Sequence, residues 1–117
     1  MTTIARLKRR AEFLAVSSSR RRHAAPGLIL QALRHDGSAP PRVGFTASRK
    51  VGIAVERNRA RRRLKAAAAE VLAKHAASGT DYVVVARGAT LTRKFRDLVA
   101  DLETAMRRLD AYAEGPR

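Results

Sequence analysis

The fold is decided by residues 42–65, which read RVGFTASRKVGIAVERNRARRRLK. In the first part of this stretch, Val43, Phe45 and Ala47 alternate with residues that are polar or small. Such alternation is typical of a strand that buries one face. The other face, being polar and small, suits the floor of a groove. The pattern therefore predicts a strand over residues 42–48.

The second part of the stretch opens a helix that we place at about residues 54–75. Six of the nine residues at positions 57–65 are basic. At about 100° per residue, one stripe of this helix is apolar and must face the core. The core stripe consists of Ala60, Leu64, Ala67, Ala68 and Val71. The margin of that stripe carries Arg57, Arg61 and Lys65, with Asn58 just beyond. The residues pointing farther outward are Arg59, Arg62 and Arg63.

These two basic sets predict two different contacts. The marginal set is expected to face a groove formed by this helix, the polar side of the sheet and a first helix. A groove with spaced cations and small polar walls accepts a single nucleic-acid strand. The outward set is expected to meet a second, larger RNA surface, because arginine forks pair with phosphate oxygens.

Overall charge supports a polyanionic partner. The 117 residues carry a formal net charge of +15, and the pI is near 11.7. A dense cluster of one sign repels itself, which disfavours a merely solvated surface. Nucleic acid is favoured over a membrane surface, because membrane-binding helices oppose their cations with a wide Leu, Phe or Trp face. This helix offers mostly alanine.

Length and composition predict a single RNA-binding domain over residues 1–117, with an ordered core at about 4–110. Cysteine is absent, which excludes disulfides, thiol nucleophiles and thiolate metal sites. The first ten residues lead into no unbroken apolar stretch, so we expect neither a signal peptide nor a membrane span. The expected location is the cytoplasm.

The remaining elements follow from periodicity. Helical spacing predicts a first helix from about Thr3 to Ser19, and a short apolar run predicts a strand over Leu28 to Leu33. A turn at residues 35–38 separates that strand from the next. Tyr82 to Arg87 is too apolar for an edge and is expected to be a central strand. Helical spacing resumes after Gly88. The predicted class is α+β, in the order α-β-β-α-β-α, with a short additional strand possible.

No catalytic or metal-binding residue is predicted in this chain. A nuclease needs clustered carboxylates for metal ions or a histidine pair for acid and base work. Acidic residues are scattered here, and those of the last helix are expected to face solvent. They are Asp97, Asp101 and Glu103. The histidines lack metal-ligand spacing. They are His23, His35 and His75.

The sequence resembles the small protein subunit of bacterial ribonuclease P. The resemblance is carried by residues 43–52, VGFTASRKVG, followed by residues 54–62, AVERNRARR, with its Arg-Asn-Arg signature. Flanking matches are Arg6-Leu7 and Glu12-Phe13 near the start and residues 81–87, DYVVVAR, near the end. These segments are spread over residues 4–109, the range to which the resemblance extends.

This resemblance implies an open sheet packed with helices and a rare left-handed βαβ crossover, where the general rule would give a right-handed one. It also implies partnership with the catalytic RNA of ribonuclease P and with precursor tRNA, whose 5′ leader is removed by hydrolysis of one phosphodiester bond. The RNA subunit and the Mg²⁺ that it mainly binds would perform the chemistry. Neither a membrane, nor a small-molecule substrate, nor a cofactor held tightly by the protein is expected.

The resemblance also assigns site residues. Phe13 matches an aromatic residue that borders the leader groove. Positions lining this groove or its edge are matched by Ser48, Lys50, Arg57, Asn58, Arg61, Lys65 and Ala86. Signature positions that hold the catalytic RNA are matched by Arg59 and Arg62. Thr46 of the polar strand face, Arg49 of the connector and Arg63 of the basic run complete the predicted RNA-binding set.

Two positions depart from the family pattern. Ser17 stands where a second aromatic is common on the first helix, and Gln31 stands where the first strand often carries one. Losing two stacking platforms should shift leader binding toward phosphate contacts. Two alternatives remain at this point: a structural protein that binds ribosomal RNA, and a free-standing nuclease.

Overall fold

In the computed structural model, residues 4–35 and 37–114 are described, and they form one five-stranded sheet with three α-helices. The strands are β1 (Ala5–Arg6), β2 (Arg22–Ala24), β3 (Leu28–Arg34), β4 (Arg42–Thr46) and β5 (Thr80–Ala86). The helices are α1 (Arg10–Ser18), α2 (Ala54–His75) and α3 (Phe95–Arg108), with a 3₁₀ turn at Gly88–Leu91. Thr3 of the predicted first helix and Asp36 of the predicted turn lie outside the described residues.

The sheet is mixed and has the strand order β1-β4-β5-β3-β2. β4 pairs in parallel with both β1 and β5, whereas β3 pairs antiparallel with β5 and β2. The central position predicted for the apolar Tyr-Val-Val-Val strand is confirmed in β5. Because α2 joins the parallel neighbours β4 and β5, these three elements form a βαβ crossover. Its left-handed sense stays a prediction from the family resemblance.

Side chains on the two faces of the sheet belong to different cores. Tyr82 and Val84 of β5 point toward α2 and α3 and join the main core. Val83, between them, points the other way and joins a smaller core with Leu7 and with Val16 of α1. We call this second side the α1 face. Three layers result, with α1 on one side of the sheet and the other two helices on the opposite side.

The helix predicted at about residues 54–75 is confirmed at those bounds. Its first turn is closed by Glu56, whose carboxylate accepts the Ile53 backbone N–H at 2.9 Å. Lys74 and His75 occupy the last turn, where cations complement the helix dipole. None of the helices within the described residues is long and apolar enough to cross a membrane.

The predicted extent of the first helix is wrong, because the chain is extended before α1. Leu7 donates its backbone N–H to Val43 O at 3.0 Å, which continues the pairing of β1 with β4. The Glu12 carboxylate then accepts the N–H groups of Lys8 and Arg9, so the helix begins at Arg10. The apolar spacing of this segment suggests a helix because Leu7 is at a buried position. Leu7 is buried, but it lies in an extended part of the chain.

Asp101 is buried rather than facing solvent, which corrects the prediction for the last helix. Its carboxylate accepts the backbone N–H of Gly27 at 2.9 Å and two hydrogen bonds from the Arg93 guanidinium, at 2.8 and 3.0 Å. A Cβ at position 27 would come within 2.7 Å of this carboxylate. Asp101 therefore joins α3 to the start of β3.

Candidate nucleic-acid interface

The core stripe predicted for α2 is confirmed. Ala60, Leu64 and Ala67 have no exposed surface, and Ala68 and Val71 have almost none. Because this stripe fixes the rotation of the helix, it also fixes the direction in which each basic residue leaves the helix, and contacts with other segments then determine where the side chain ends.

Arg59 and Arg62 lie on the opposite side of α2 and are exposed, as predicted. They share a row at helical spacing with Val55, Ala66 and Ala69, all exposed, and the row contains no acidic residue. We call these five residues the outward stripe. Within the described residues, neither guanidinium has an ion-pair or hydrogen-bond partner. The outward stripe is an uncompensated cationic surface.

The marginal set lies beside the connector that joins β4 to α2. Arg57 is half-buried and donates from Nη1 to Gly52 O at 3.0 Å. Arg61 donates from Nη2 to Asn58 Oδ1. Lys65 is exposed one turn farther along. Arg57 and Arg61 are thus held in place by local contacts.

Arg63 does not point outward, which corrects the angular prediction. Its Nε donates to Thr90 O at 2.9 Å and its Nη2 donates to Arg93 O. The side chain is half-buried against the 3₁₀ turn that precedes α3. In this position Arg63 links α2 to the neighbouring turn.

The prediction of a groove walled by both α1 and α2 is also wrong, because the two helices pack on opposite faces of the sheet. Val16 of α1 shares a core with Val83, whereas Leu64 of α2 shares the main core with Val84. The connector of residues 47–53 carries the chain from the end of β4 to the start of α2. The basic start of α2 therefore lies at the sheet edge where β4 ends, and not across the sheet face from α1.

On the α1 face, a row of side chains beyond Phe13 remains accessible. Phe13 of α1 covers Gly44, where a Cβ would come within 2.3 Å of Phe13 Cε1. Only glycine leaves room for the ring to lie this close to the sheet. The next row toward the end of β4 is half-exposed and consists of the register partners Thr46, Val85 and Ile29. We call it the open row.

The connector adds cations at the end of the open row. Ser48, Arg49 and Lys50 are exposed, and Val51 is buried in the main core, which anchors the segment. The Ser48 hydroxyl accepts the Lys50 backbone N–H at 3.3 Å. Four predicted groove residues therefore follow one another along the chain, at the end of β4 and in the connector: Thr46, Ser48, Arg49 and Lys50.

Ala86 departs from its predicted place in the groove. It shares strand parity with Tyr82 and Val84, so its side chain faces the main core, and it is 6% exposed. The α1 face at this end of β5 is occupied by Val85 instead.

The sequence reading missed two residues on the α1 face. Arg22 of β2 lies opposite Gln31 of β3 in the register, and Leu14 of α1 is 50% exposed. Arg22 belongs to a three-residue strand, which is too short to show a periodic signal. The alternation of side chains in β3 shows which face Gln31 occupies. Because Arg22 is paired with Gln31, the same alternation would have assigned Arg22 to the α1 face.

An ionic network fastens α1 to the sheet. Arg42 donates to Asp81 through Nε and Nη2, at 2.9 and 2.7 Å, and to Glu12 of α1 through Nη1, at 2.7 Å. His35 Nε2 lies 3.2 Å from Asp81 Oδ1. The network lies beside Phe13, so it helps to position the wall of the open row.

The ionisation of this network follows from its contacts. Hydrogen bonds from the N–H groups of Arg9 and Lys8, together with the Arg42 charge, lower the pKa of Glu12 to about 2. Burial alone would raise the pKa of Asp81, but hydrogen bonds from Arg42 and His35 outweigh it and lower that pKa. The hydrogen bond to Asp81 raises the pKa of Arg42. All three groups are charged at neutral pH.

Comparison with known proteins finds a matching family. The family model described as Ribonuclease P matches residues 1–110. The ribonuclease P protein component of Paramagnetospirillum magneticum is 53% identical over 110 residues, covering 91% of this chain and 83% of that protein. That of Gluconacetobacter diazotrophicus is 50% identical over 103 residues, covering 88% and 89%.

Solved structures share the fold. The RNase P protein of Staphylococcus aureus, solved at 2.0 Å, superposes with a TM-score of 0.77 at 20% identity, covering 94% of this chain and 99% of that one. The RNase P protein from Thermotoga maritima gives a TM-score of 0.68 at 21% identity, covering 83% and 90%.

Proposed function

The chain belongs to the ribonuclease P protein family, and from this premise we propose that it holds two RNAs on two surfaces at the start of α2. The outward stripe would bind the catalytic RNA. The open row, its connector and the marginal set beside the connector (Arg57, Arg61 and Lys65) would bind the 5′ leader of precursor tRNA. Membership confirms the resemblance read from residues 43–62, and it makes the chain a component of the ribonuclease P enzyme. The proposed place of action is the cytoplasm.

The observation that carries this proposal is the separation of the two cationic surfaces. Arg59 and Arg62 project from the side of α2 away from the core, whereas Arg49 and Lys50 lie where β4 ends. Helix α2 spans the two surfaces through one rigid backbone. A single protein so built sets two RNAs at a fixed distance from each other, which reduces the entropy lost when they meet.

The leader surface has the properties that a single strand requires. The open row offers half-exposed side chains of Thr46, Val85 and Ile29, which suit the faces of bases. Phe13 borders it from α1. The cations of the connector lie at the row's end, where they can pair with the leader backbone.

We assign the chemistry to the RNA subunit. Within the described residues, no three His, Cys, Asp or Glu side chains are grouped to hold a metal ion. Mg²⁺, bound mainly by the RNA, would stabilise charge at the hydrolysed phosphodiester. The protein contributes cations that position the leader and offset repulsion between the two RNAs. Stronger leader contact raises the affinity for precursor over mature tRNA.

Reconstitution tests the proposal. The purified chain is mixed with precursor tRNA at low Mg²⁺, with and without the catalytic RNA. We expect the chain to stimulate cleavage only when the catalytic RNA is present. Cleavage by the protein alone would indicate a free-standing nuclease, and binding without any stimulation would indicate a structural RNA-binding protein of the ribosomal kind.

A further inference from the structure

Two large apolar side chains are exposed at the start of α2. Among the described residues, the exposed large hydrophobics are Leu14, Ile53 and Val55, at 50%, 68% and 71%. The last two lie within three residues of each other, whereas Leu14 lies on α1. Covering such a pair with a partner would remove apolar surface from water, which is favourable.

The position of this pair is fixed by the helix start. Ile53 precedes the first turn, and its N–H is held by the Glu56 carboxylate at 2.9 Å. Val55 heads the outward stripe, and residues three and four apart are neighbours on a helix surface. Its neighbours are therefore Asn58 and Arg59. Val55 thus forms one end of the outward stripe, and Ile53 lies two residues before it at the start of the helix.

The surrounding charge identifies the occupant. The outward stripe beyond Val55 carries Arg59 and Arg62 and no acidic side chain. The nearby carboxylate of Glu56 is engaged with the backbone of Ile53. A partner that covers an apolar pair and supplies anions a turn away must itself alternate apolar faces with negative charge. RNA does so, because each base and ribose lies between phosphates.

We infer that Ile53 and Val55 bind an unstacked nucleotide of the catalytic RNA, packing against its base or ribose while Arg59 and Arg62 pair with adjacent phosphates. This inference rests on the proposed function, and it adds an apolar, salt-independent part to that interface. Bases splayed from loops and bulges are the parts of RNA whose faces proteins reach.

Salt dependence distinguishes an apolar contact from an ionic one. Each phosphate neutralised by a protein cation releases counterions and steepens the fall of affinity with salt, whereas apolar packing releases none. The test variant is Ile53→Ser with Val55→Ser. Serine is favoured at the residue preceding a helix, which is position 53, and Val55 is exposed, so the fold should be retained in the double variant. Circular dichroism checks the helix content.

Affinity for the catalytic RNA is measured by filter binding over a series of salt concentrations. We expect the double variant to bind about tenfold more weakly at every salt concentration, with an unchanged slope. The matched ionic control, Arg62→Ala, should flatten the slope by about 0.9. Leu14→Ser, an equivalent change on α1, should leave affinity for this RNA unchanged.

Three outcomes would overturn the inference. The first is a double variant that binds the RNA like the wild type. The second is a loss of affinity that disappears as the salt concentration rises. The third is self-association of the wild-type chain in sedimentation, abolished by the double variant with RNA affinity intact, which would assign the pair to a second copy. If instead the wild type fails to stimulate RNA-dependent cleavage, the proposed function itself fails, whatever the variants do.

Discussion

Neighbouring arginines of α2 have different structural roles although they belong to one basic run. Arg62 is exposed and has no partner within the described residues, whereas Arg63, the next residue, donates to Thr90 O and Arg93 O. Arg61 is turned toward Asn58. A hundred degrees of rotation per residue therefore separates a residue available to RNA from one used inside the protein.

The two proposed RNA surfaces predict different defects for adjacent substitutions. Arg62→Ala should weaken binding to the catalytic RNA with little effect on folding, because an exposed helical arginine adds little to stability. Arg61→Ala should instead weaken binding of precursor relative to mature tRNA by the holoenzyme. Both affinities are measured for both variants. Loss of the same step in both would show that the division into two surfaces is mistaken.

Substitution of Arg63 should affect stability rather than RNA binding. Arg63→Ala removes hydrogen bonds from a charged donor to two carbonyl groups, so we expect it to lower the free energy of unfolding by about 1–3 kcal/mol. The matched control is Arg59→Ala on the same helix, for which we expect less than about 0.5 kcal/mol. The free energy of unfolding of both variants is measured in urea. Equal losses in the two variants would refute the role of Arg63 as a link between α2 and the neighbouring turn.

At the scale of elements, α1 is attached more weakly than α2. Helix α2 buries a whole stripe in the main core. Helix α1 buries only Val16 completely and depends on Phe13 packing over Gly44 and on the contact between Glu12 and Arg42. The attachment of this wall of the proposed leader groove thus depends in part on the charge of Glu12.

Acid should release α1 before it unfolds the rest. The folded-state pKa of Glu12, about 2, lies below its ordinary value of 4.5, and the pKa of Asp81 is lowered as well. Groups with lowered pKa contribute stability that is complete above their ordinary pKa and is lost as the pH falls toward the folded value. We expect the protection of α1 amides, relative to the exchange rate of an unstructured chain at the same pH, to fall between about pH 4.5 and pH 2, ahead of protection in α2.

The control for this prediction removes the titrating group. In Glu12→Gln, the side chain no longer ionises, so α1 amides should be less protected at neutral pH, and their protection should change less on acidification. An α1 that keeps the wild-type pH profile in this variant would exclude Glu12 as the cause.

Long elements were predictable and short ones were not. The 22 residues of α2 and the apolar run of β5 each repeat their period often enough to identify both type and position. β1 has two residues and β2 has three, so neither shows a period at all. They form because β4 and β3 offer free edges, which is a property of the assembled sheet.

At the scale of the whole molecule, carboxylates are used internally while many cations remain outside. Glu12 and Asp81 bind Arg42, Asp101 binds Arg93, and Glu56 closes the start of α2. These contacts leave much of the formal charge of +15 at the surface. Long-range attraction to RNA is the result, and salt screens it.

This distribution predicts how the leader is recognised. Ser17 is exposed and Gln31 is half-buried on the α1 face. Because neither side chain is aromatic, neither offers a platform for base stacking. We expect leader affinity to fall steeply with salt and to depend weakly on base identity. Gln31→Tyr should strengthen binding about 10- to 100-fold through base stacking, with more preference among bases. A shallow salt slope with marked base preference in the wild type would contradict this.

The site was predictable only where a single element determines direction. The core stripe of α2 placed Arg59 and Arg62 correctly. Arg63 and Asp101 were misplaced because their partners, such as Gly27, come from distant parts of the chain. Ala86 was assigned to the groove by family resemblance and not from its strand, and the parity of β5 turns its side chain into the main core.

The seating of α1 on β4 and β5 sets an order for assembly during translation. Gly44, Arg42 and Asp81, against which α1 docks, follow it by tens of residues along the chain. The helix that a ribosome makes first must therefore wait, undocked, until β5 has emerged. By then all of α2 has been synthesised, and because its core stripe packs on Tyr82 and Val84, both sides of the sheet close on the arrival of the same strand.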